Sequence, residues 1–496
     1  MISKTDKSEI QNYLSDASNY KGNCESVYFP ESKEDVIELV KQANANKTKV
    51  TIAGNGTGLT GGSVPEGGIL ISTDKLNKII EINQEEKYAV VQPGVLLQEF
   101  VDIVDGMKLY YTPDPTEKGS YIGGNVANNA SGAKTFKYGP TRDYVTALEV
   151  ILPDGEELYL ERGKTFADGY KLQLQIKSGK QLLIDLPVYE MPETKHAAGY
   201  YVKENMDAID LFIGSEGTLG FTTQIKLKLL DKPEYILSSI IFFDTEEKAL
   251  NFVDAGRRSS FQSKEEHDIN GINARGLEYF DDNTLEFLRE DFARIPANAK
   301  AAVWFEQEYT DENEEDIFSN WAALIEKCDG DMESAWFANN EKDRKEFEHF
   351  RHAIAEKVNE YMARRNIMKV GTDIAVPADK FREFYWFAKA SVDEKNIKQV
   401  AYGHFGNSHV HLNMLPKDQE EYKTAKDIYL QLCKKGIELK GTISAEHGIG
   451  KLKRQYLLEM FGKENLLKMA KLKKQFDPNL ILSIGNIIYP AYFDEI

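Results

Sequence analysis

PDPTEKGSYIGGNVANNASGAKTFKYGPTR, residues 113–142, offers a chain little to pack with and much to bind with. Between Tyr121 and Arg142 stand four Gly, three Asn, three Ala, two Thr and one Ser, with hardly a large aliphatic side chain. Such a run cannot bury an apolar face, so core packing is expected to give it neither helix nor strand. It presents dense backbone N–H groups and Asn amides, in conformations that Gly reaches cheaply. A chain wraps a polyanion such as a pyrophosphate in that way. The alternative, a flexible surface loop, is disfavoured because structureless loops of this length are uncommon inside compact domains.

A second Gly-rich segment lies upstream at residues 53–65, AGNGTGLTGGSVP. Gly56-Thr57-Gly58-Leu59-Thr60-Gly61 matches GxGxxG after a short strand expected at residues 49–52. A Rossmann site would need a helix to open at the third glycine. The chain continues instead Gly62-Ser63-Val64-Pro65-Glu66-Gly67-Gly68, which no helix tolerates, and Ile69-Leu70-Ile71-Ser72 then reads as a strand. No Gly-Lys-Ser/Thr follows, so a P-loop is excluded as well. The segment is a phosphate-cradling loop between strands.

Around these loops the first 231 residues read as α+β. Ser32 caps a helix with Val36, Ile37, Leu39, Val40 and Ala43 as its buried stripe. Strands are expected at residues 88–92 and 147–152, the latter turning through Pro153-Asp154-Gly155 into residues 157–160. Residues 208–230 give a strand, a Gly-flanked turn and a strand. From residue 232 to about 430 the pattern changes to strand, helix, strand and helix without Gly-rich turns, which predicts an antiparallel sheet covered by helices. Residues 431–496 form a short third segment.

The 496 residues carry a formal net charge of −19, which argues against nucleic acid or an anionic membrane as the main partner. No apolar run approaches the ~18 residues of a transmembrane helix, and the first residues lack a signal-peptide pattern. Cys24, Cys328 and Cys433 lie far apart in no metal or pairing spacing, which suits a reducing cytoplasm. A cytoplasmic protein, with room for peripheral membrane association and for a homodimer, is the expectation.

Eight histidines occur, and four of them fall between His404 and His447. In Gly403-His404-Phe405-Gly406-Asn407-Ser408-His409-Val410-His411-Leu412-Asn413-Met414 the second half alternates. His409, His411 and Asn413 share one strand face, and Val410, Leu412 and Met414 the other. Two imidazoles and an amide are costly to bury unless they serve a ligand. Ser444-Ala445-Glu446-His447-Gly448 adds a carboxylate beside an imidazole in a Gly-flanked loop. Two His and one carboxylate from separate segments match a catalytic divalent-metal site with open positions.

The series AGNGTGLTGG, IGGNVANNASGAKTFKYGPTRD, GSEGTLGF, GHFGNSHVHLN and SAEHGIGK resembles the D-lactate dehydrogenase, D-2-hydroxyglutarate dehydrogenase and glycolate oxidase branch of the FAD-linked oxidases. These are flavoproteins of the vanillyl-alcohol oxidase and p-cresol methylhydroxylase type. The resemblance implies a two-subdomain FAD-binding domain over residues 1–231 and an antiparallel-sheet cap, or substrate domain, over 232–430. Residues 431–496 would complete the active site and pack back on the FAD domain.

It further implies non-covalent FAD held by Gly54, Asn55, Gly56, Thr57, Gly58, Leu59, Thr60, Gly61 and Gly62. Pro115, Thr116, Gly123, Gly124, Asn125, Asn128, Ser131, Gly132, Tyr138, Gly139 and Arg142 would continue that contact, as would Glu216, Gly217, Thr218 and Gly220. A divalent metal, zinc first and manganese or iron as alternatives, would sit on His404, His411 and Glu446. Asn413 would lie alongside as a substrate contact, and Arg351 would pair with the substrate carboxylate.

Three departures from the family pattern stand out. Asn407-Ser408-His409 replaces Asp-Gly-Asn, so His409 is either an extra ligand or a supporting group. Leu482-Ser483-Ile484-Gly485-Asn486 replaces LNPGK, which alters the usual asparagine contact to the flavin. Ala355 stands where relatives acting on a dicarboxylic acid carry a hydroxyl.

The expected activity is oxidation of a small (R)-2-hydroxy acid, D-lactate first, to the 2-oxo acid, with D-2-hydroxyglutarate or glycolate as alternatives. Hydride would pass to flavin N5, and electrons would leave to a quinone, a cytochrome or an electron-transferring flavoprotein. His447 would take the hydroxyl proton as catalytic base, and Arg351 would hold the carboxylate bidentately. A non-catalytic electron-relay flavoprotein would keep the Gly loops and lose the His/Glu set.

Overall fold

Ser32 accepts the Asp35 N–H and opens the helix Lys33–Asn46. Its stripe of Val36, Leu39, Val40 and Ala43 is buried against a four-stranded sheet, while Ile37 packs at the margin. In the computed structural model, which describes residues 1–496, that sheet runs Ile2–Lys4, Ser26–Phe29, Ile69–Ser72, Val50–Ala53. Val50–Ala53 and Ile69–Ser72 pair in parallel, with Val50 opposite Ile69. Parallel neighbours cannot be closed by a tight turn, so the Gly-rich segment between them must travel back along the sheet. Beyond Val50 the tail of the chain docks: Val50 donates to Ile481 O and Ser483 donates to Val50 O, each at 2.7 Å.

A second, five-stranded antiparallel sheet has the order Ile79–Asn83, Tyr88–Val91, Phe221–Lys228, Val145–Ile151, Glu157–Glu161. Two sheets of different character thus carry the Gly-rich segments between them.

The third sheet is antiparallel, with eight strands. Its main path is Asp331–Phe337, Tyr235–Phe243, Ala301–Tyr309, Gly276–Asp281, Gln399–Gly403, His409–Met414, Val370–Gly371, and Ile374–Ala375 also pairs with the histidine strand. Tyr235–Phe243 shows why such strands carry apolar residues on both faces. Ile240 and Phe242 enter one core with Phe347, Phe350 and Ile354 of the helix Glu341–Ala363. Ile241 and Phe243 enter another with Phe252 of the helix Glu246–Glu266 and Trp321 of the helix Glu314–Lys327. Helices on both faces leave no solvent side to mark by alternation.

Two local expectations are corrected. Residues 113–142 are not devoid of secondary structure: Ile122–Asn128 is a helix and Thr135–Tyr138 a single helical turn. Ile122 and Val126, one turn apart, are both buried and suffice for two turns, and Asn129 closes the helix in the left-handed region at φ 49°. The apolar run at 209–212 is a helical turn rather than a strand, with Ile209, Leu211 and Phe212 buried together. Three apolar residues around Asp210 do not distinguish the two forms. The strands Gly276–Asp281, Asp331–Phe337 and Gln399–Gly403 were not anticipated at all.

Candidate active site

The first Gly loop is fastened to the segment carrying His447. Lys451 and Leu452 donate their N–H groups to Thr60 O at 2.8 and 3.1 Å. Lys451 Nζ reaches Gly61 O at 3.1 Å, and Asn486 Nδ2 reaches Gly62 O at 2.8 Å. Gly450 sits at φ 49°, and a Cβ there would lie 2.2 Å from Thr60 O, so only glycine permits the contact. Asn486, at the end of the segment that departs from LNPGK, thus braces this loop.

From the other side Glu216 accepts the N–H groups of Ile449 and Gly450 at 2.6 and 2.7 Å. Burial pushes its carboxyl up to about 7 in spite of these donors. Asn128 Oδ1 and Glu216 Oε1 both crowd Gly448, within 2.9 and 3.0 Å of where a Cβ would stand. Arg142 is placed differently from the other expected contacts. Its guanidinium donates to Ile213 O at 2.6 Å, pairs with Asp210 at 3.2 Å and lies 4.0 Å from the Tyr201 ring centre.

These residues fit a dinucleotide. From 55 to 63 no backbone N–H donates to a backbone carbonyl, and most of the stretch is half-buried or buried, which leaves donors for a ligand. Asn125 Nδ2, on the Gly-rich helix, is buried without a partner. A Cβ on Gly132 would lie 1.9 Å from Asp114 O, so that segment too has room only for backbone.

The histidine strand behaves as its alternation predicts. Val410, Leu412 and Met414 are fully buried in the core. On the other face His404, His409, His411 and Glu446 each bring a ligand atom within 4.8 Å of the others. Glu446 Oε1 lies 3.4 Å from His404 Nε2, 3.2 Å from His411 Nε2 and 3.6 Å from His447 Nε2. Its second oxygen is held by Lys195 Nζ at 2.7 Å and Ser131 Oγ at 3.3 Å.

The outer nitrogens of these imidazoles are also engaged. Glu278 lies 2.8 Å from His404 Nδ1, Thr372 O lies 3.3 Å from His411 Nδ1, and Asp373 Oδ2 lies 3.2 Å from His447 Nδ1. Burial alone would lower His404, but the Glu278 and Glu446 carboxylates outweigh it and carry the imidazole up to about 9. Burial would raise Glu446, yet Lys195 and His404 hold it well below the usual carboxylate range. His411 is pushed down, chiefly by burial. Imidazoles whose far nitrogens are oriented by carboxylates or carbonyls around a shared carboxylate form a donor set that fits a divalent cation.

Arg351, 8% exposed, comes from the helix Glu341–Ala363. Its Nη1 lies 3.8 Å from Glu278 Oε2 and its Nη2 lies 3.9 Å from Asp114 Oδ2. Its Nε is buried without a partner. Asn413 stands beside the imidazoles on the same strand, its amide 3.4 Å from His411 O. Sequence reasoning missed Glu278, Asp373 and Lys195, single charged residues in no recognisable spacing.

The sequence pattern of the FAD binding domain matches residues 25–161, and that of the FAD linked oxidases, C-terminal domain, matches 233–487. A D-lactate dehydrogenase of Anaerostipes hadrus is 30% identical over 470 residues, covering 92% of this chain and 88% of that protein. Glycolate oxidase subunit GlcD of Bacillus subtilis is 30% identical over 482 residues, covering 96% and 91%. A D-2-hydroxyglutarate dehydrogenase of Stutzerimonas stutzeri is 28% identical, covering 97% and 95%. Among solved structures, p-cresol methylhydroxylase with substrate bound superposes with a TM-score of 0.70 at 16% identity, covering 98% of this chain and 94% of that one. 4-Ethylphenol oxidase from Gulosibacter chungangensis gives 0.67 at 19%, with the same coverage. The p-cresol methylhydroxylase type of fold and the matched domains lead to one conclusion: this chain belongs to the FAD-linked oxidases.

Proposed function

We propose that the chain oxidises a small (R)-2-hydroxy acid, D-lactate foremost, to the 2-oxo acid. The observation that carries this reading is Glu446 Oε1, set among the Nε2 atoms of His404, His411 and His447 at 3.2–3.6 Å. When bound, FAD supplies a two-electron acceptor, and a divalent ion supplies a Lewis acid that acidifies a coordinated hydroxyl. His404, His411 and Glu446 would hold the ion, with zinc the first choice for imidazole and carboxylate donors and manganese or iron next.

His447, 27% exposed at its side chain, is the most open imidazole of the cluster and takes the hydroxyl proton at Nε2. Asp373 on Nδ1 keeps that nitrogen protonated and Nε2 free to accept. Arg351 presents its guanidinium, whose Nε is without a partner, to the substrate carboxylate, with His352 Nε2 2.6 Å from Nη2 and Glu278 and Asp114 at 3.8 and 3.9 Å. Asn413 orients the same substrate. Lys195 and Ser131 hold Glu446 so that one oxygen faces the imidazoles.

The names of the relatives support a 2-hydroxy acid and divide among lactate, glycolate and hydroxyglutarate. Ala355, one helical turn after Arg351, offers no hydroxyl to a second carboxylate and favours the monocarboxylic acids. Anaerobic mixing of the purified flavoprotein with D- and L-forms of lactate, glycerate and 2-hydroxyglutarate, and with glycolate, tests the proposal. Bleaching of the flavin by D-lactate and not by L-lactate is expected. Bleaching by L-forms, or by none of these acids, contradicts it.

A further inference from the structure

His409 stands where the family pattern has an asparagine, and its surroundings differ from those of a structural histidine. The ring is completely buried, at 0% exposed. Neither ring nitrogen makes a hydrogen bond. An unsatisfied buried polar group costs about 1–3 kcal/mol, and an imidazole at the start of an interior strand could be replaced by leucine at no such cost. The ring centre lies 4.4 Å from that of His411 and 5.3 Å from that of His404. Its Nε2 lies 3.0 Å from Asp373 Oδ1, angled away from a hydrogen bond.

The other two imidazoles, His404 ahead of the strand and His411 on it, show what this arrangement means. Each has one nitrogen beside an orienting oxygen, Glu278 for His404 and Thr372 O for His411, and turns the other toward Glu446. His409 shares part of this disposition: Nε2 lies beside Asp373 Oδ1, Nδ1 has no partner, and one ring nitrogen lies within 4.8 Å of the ligand atoms of His404, His411 and Glu446. The backbone enforces it. Ser408 at φ 54° ends the turn after His404, and Ala375 pairs with His409, which sets the adjacent Asp373 against the ring.

We infer that His409 is a fourth protein ligand, so that the metal site of this chain is three imidazoles and one carboxylate. The inference rests on the metal reading proposed above and deepens it. With four protein donors, a substrate oxygen can reach the ion only by raising the coordination number to five or six. The ion would then work with five or six ligands, a number that manganese and iron take readily and that zinc reaches by expanding from four.

X-ray absorption at the metal edge counts imidazoles directly and is indifferent to the flavin. Zn(II)-loaded holoenzyme, His409→Asn and His447→Ala are compared, with FAD content and thermal melting confirming that each is folded. Three imidazoles in the wild type and in His447→Ala, two in His409→Asn, and a Zn(II) dissociation constant raised at least 100-fold in His409→Asn are expected. The His447→Ala count assigns the third imidazole to His409 even if His409→Asn fails to fold. Two imidazoles in the wild type, or a third that is lost in His447→Ala and kept in His409→Asn, overturns the inference while leaving a metal site. A wild type that binds no divalent ion overturns the inference together with the metal reading beneath it.

Discussion

Asp373 Oδ2 lies 3.2 Å from His447 Nδ1 and accepts the backbone N–H of the same residue at 3.1 Å. The carboxylate also accepts the N–H groups of Ala445 and Glu446 at 3.2 Å and pairs with Lys453 Nζ at 2.6 Å. One buried side chain therefore shapes the whole 445–447 turn and orients the His447 imidazole. His447 and Lys453 more than offset the burial that would raise it, and hold it well below the usual carboxylate range.

Asp373→Asn is expected to separate these roles. Loss of the correctly oriented base should lower kcat by ~10²–10⁴. Lys453, 8% exposed, would lose its counter-charge, and stranding a buried charge costs about 3–5 kcal/mol. Melting and turnover measured together on the yellow protein check both effects. An Asn variant with full kcat would remove Asp373 from the account.

Arg351→Lys keeps the charge and loses the fork. A charge-assisted hydrogen bond is worth about 1.5–3 kcal/mol, so KM should rise ~10–150-fold, far more than in Glu446→Gln. Steady-state kinetics on both variants decide it. An unchanged KM in Arg351→Lys would show that the carboxylate is held elsewhere.

No His precedes His196, and Cys24 comes before both Gly-rich segments, so a histidyl link to the flavin from that part of the chain is chemically unavailable. His196 itself is stacked on Tyr201, 6.1 Å between ring centres. Acid precipitation should leave the colour in the supernatant. A pellet that stays yellow after washing would mean a covalent flavin.

Glu216 sets a pH dependence of folding. Its folded pKa, about 7, lies above the ordinary carboxylate value because of burial. Its stabilising contribution is therefore complete at acid pH, below the unfolded pKa, and is lost as pH rises through about 7. A gap of that size corresponds to something on the order of 3 kcal/mol. Melting of the flavin-free protein between pH 4 and 8 should decline across this window, and Glu216→Gln should flatten the decline. An identical slope in the variant would refute the assignment.

Where sequence and structure agree, a short-range rule operates. The Ser32 cap, the strand–loop–strand reading of 50–72 and the two-faced histidine strand each follow from patterns contained within one short segment. Where they part, the cause is long-range. Glu278 meets His404 across 126 residues and Lys195 meets Glu446 across 251, and no local pattern marks a lone charge as a partner. The helix Ile122–Asn128 escaped notice because two aliphatic residues are enough when the surrounding fold supplies the pocket. His409 was visible as an anomaly from the sequence, but its lack of any hydrogen bond emerges only in three dimensions.

In the proposed function His404 and His411 hold a metal whereas His447 moves a proton. Metal content measured beside the anaerobic rate of flavin reduction by D-lactate, for the wild type, His404→Ala, His411→Ala and His447→Ala, tests it most directly. The first two variants should lose metal and reduction together while keeping FAD. His447→Ala should keep the metal and reduce its flavin ~10²–10⁴ times more slowly. If His447→Ala loses the metal as fully as His404→Ala does, or if wild type without metal reduces its flavin at the full rate, the account is contradicted.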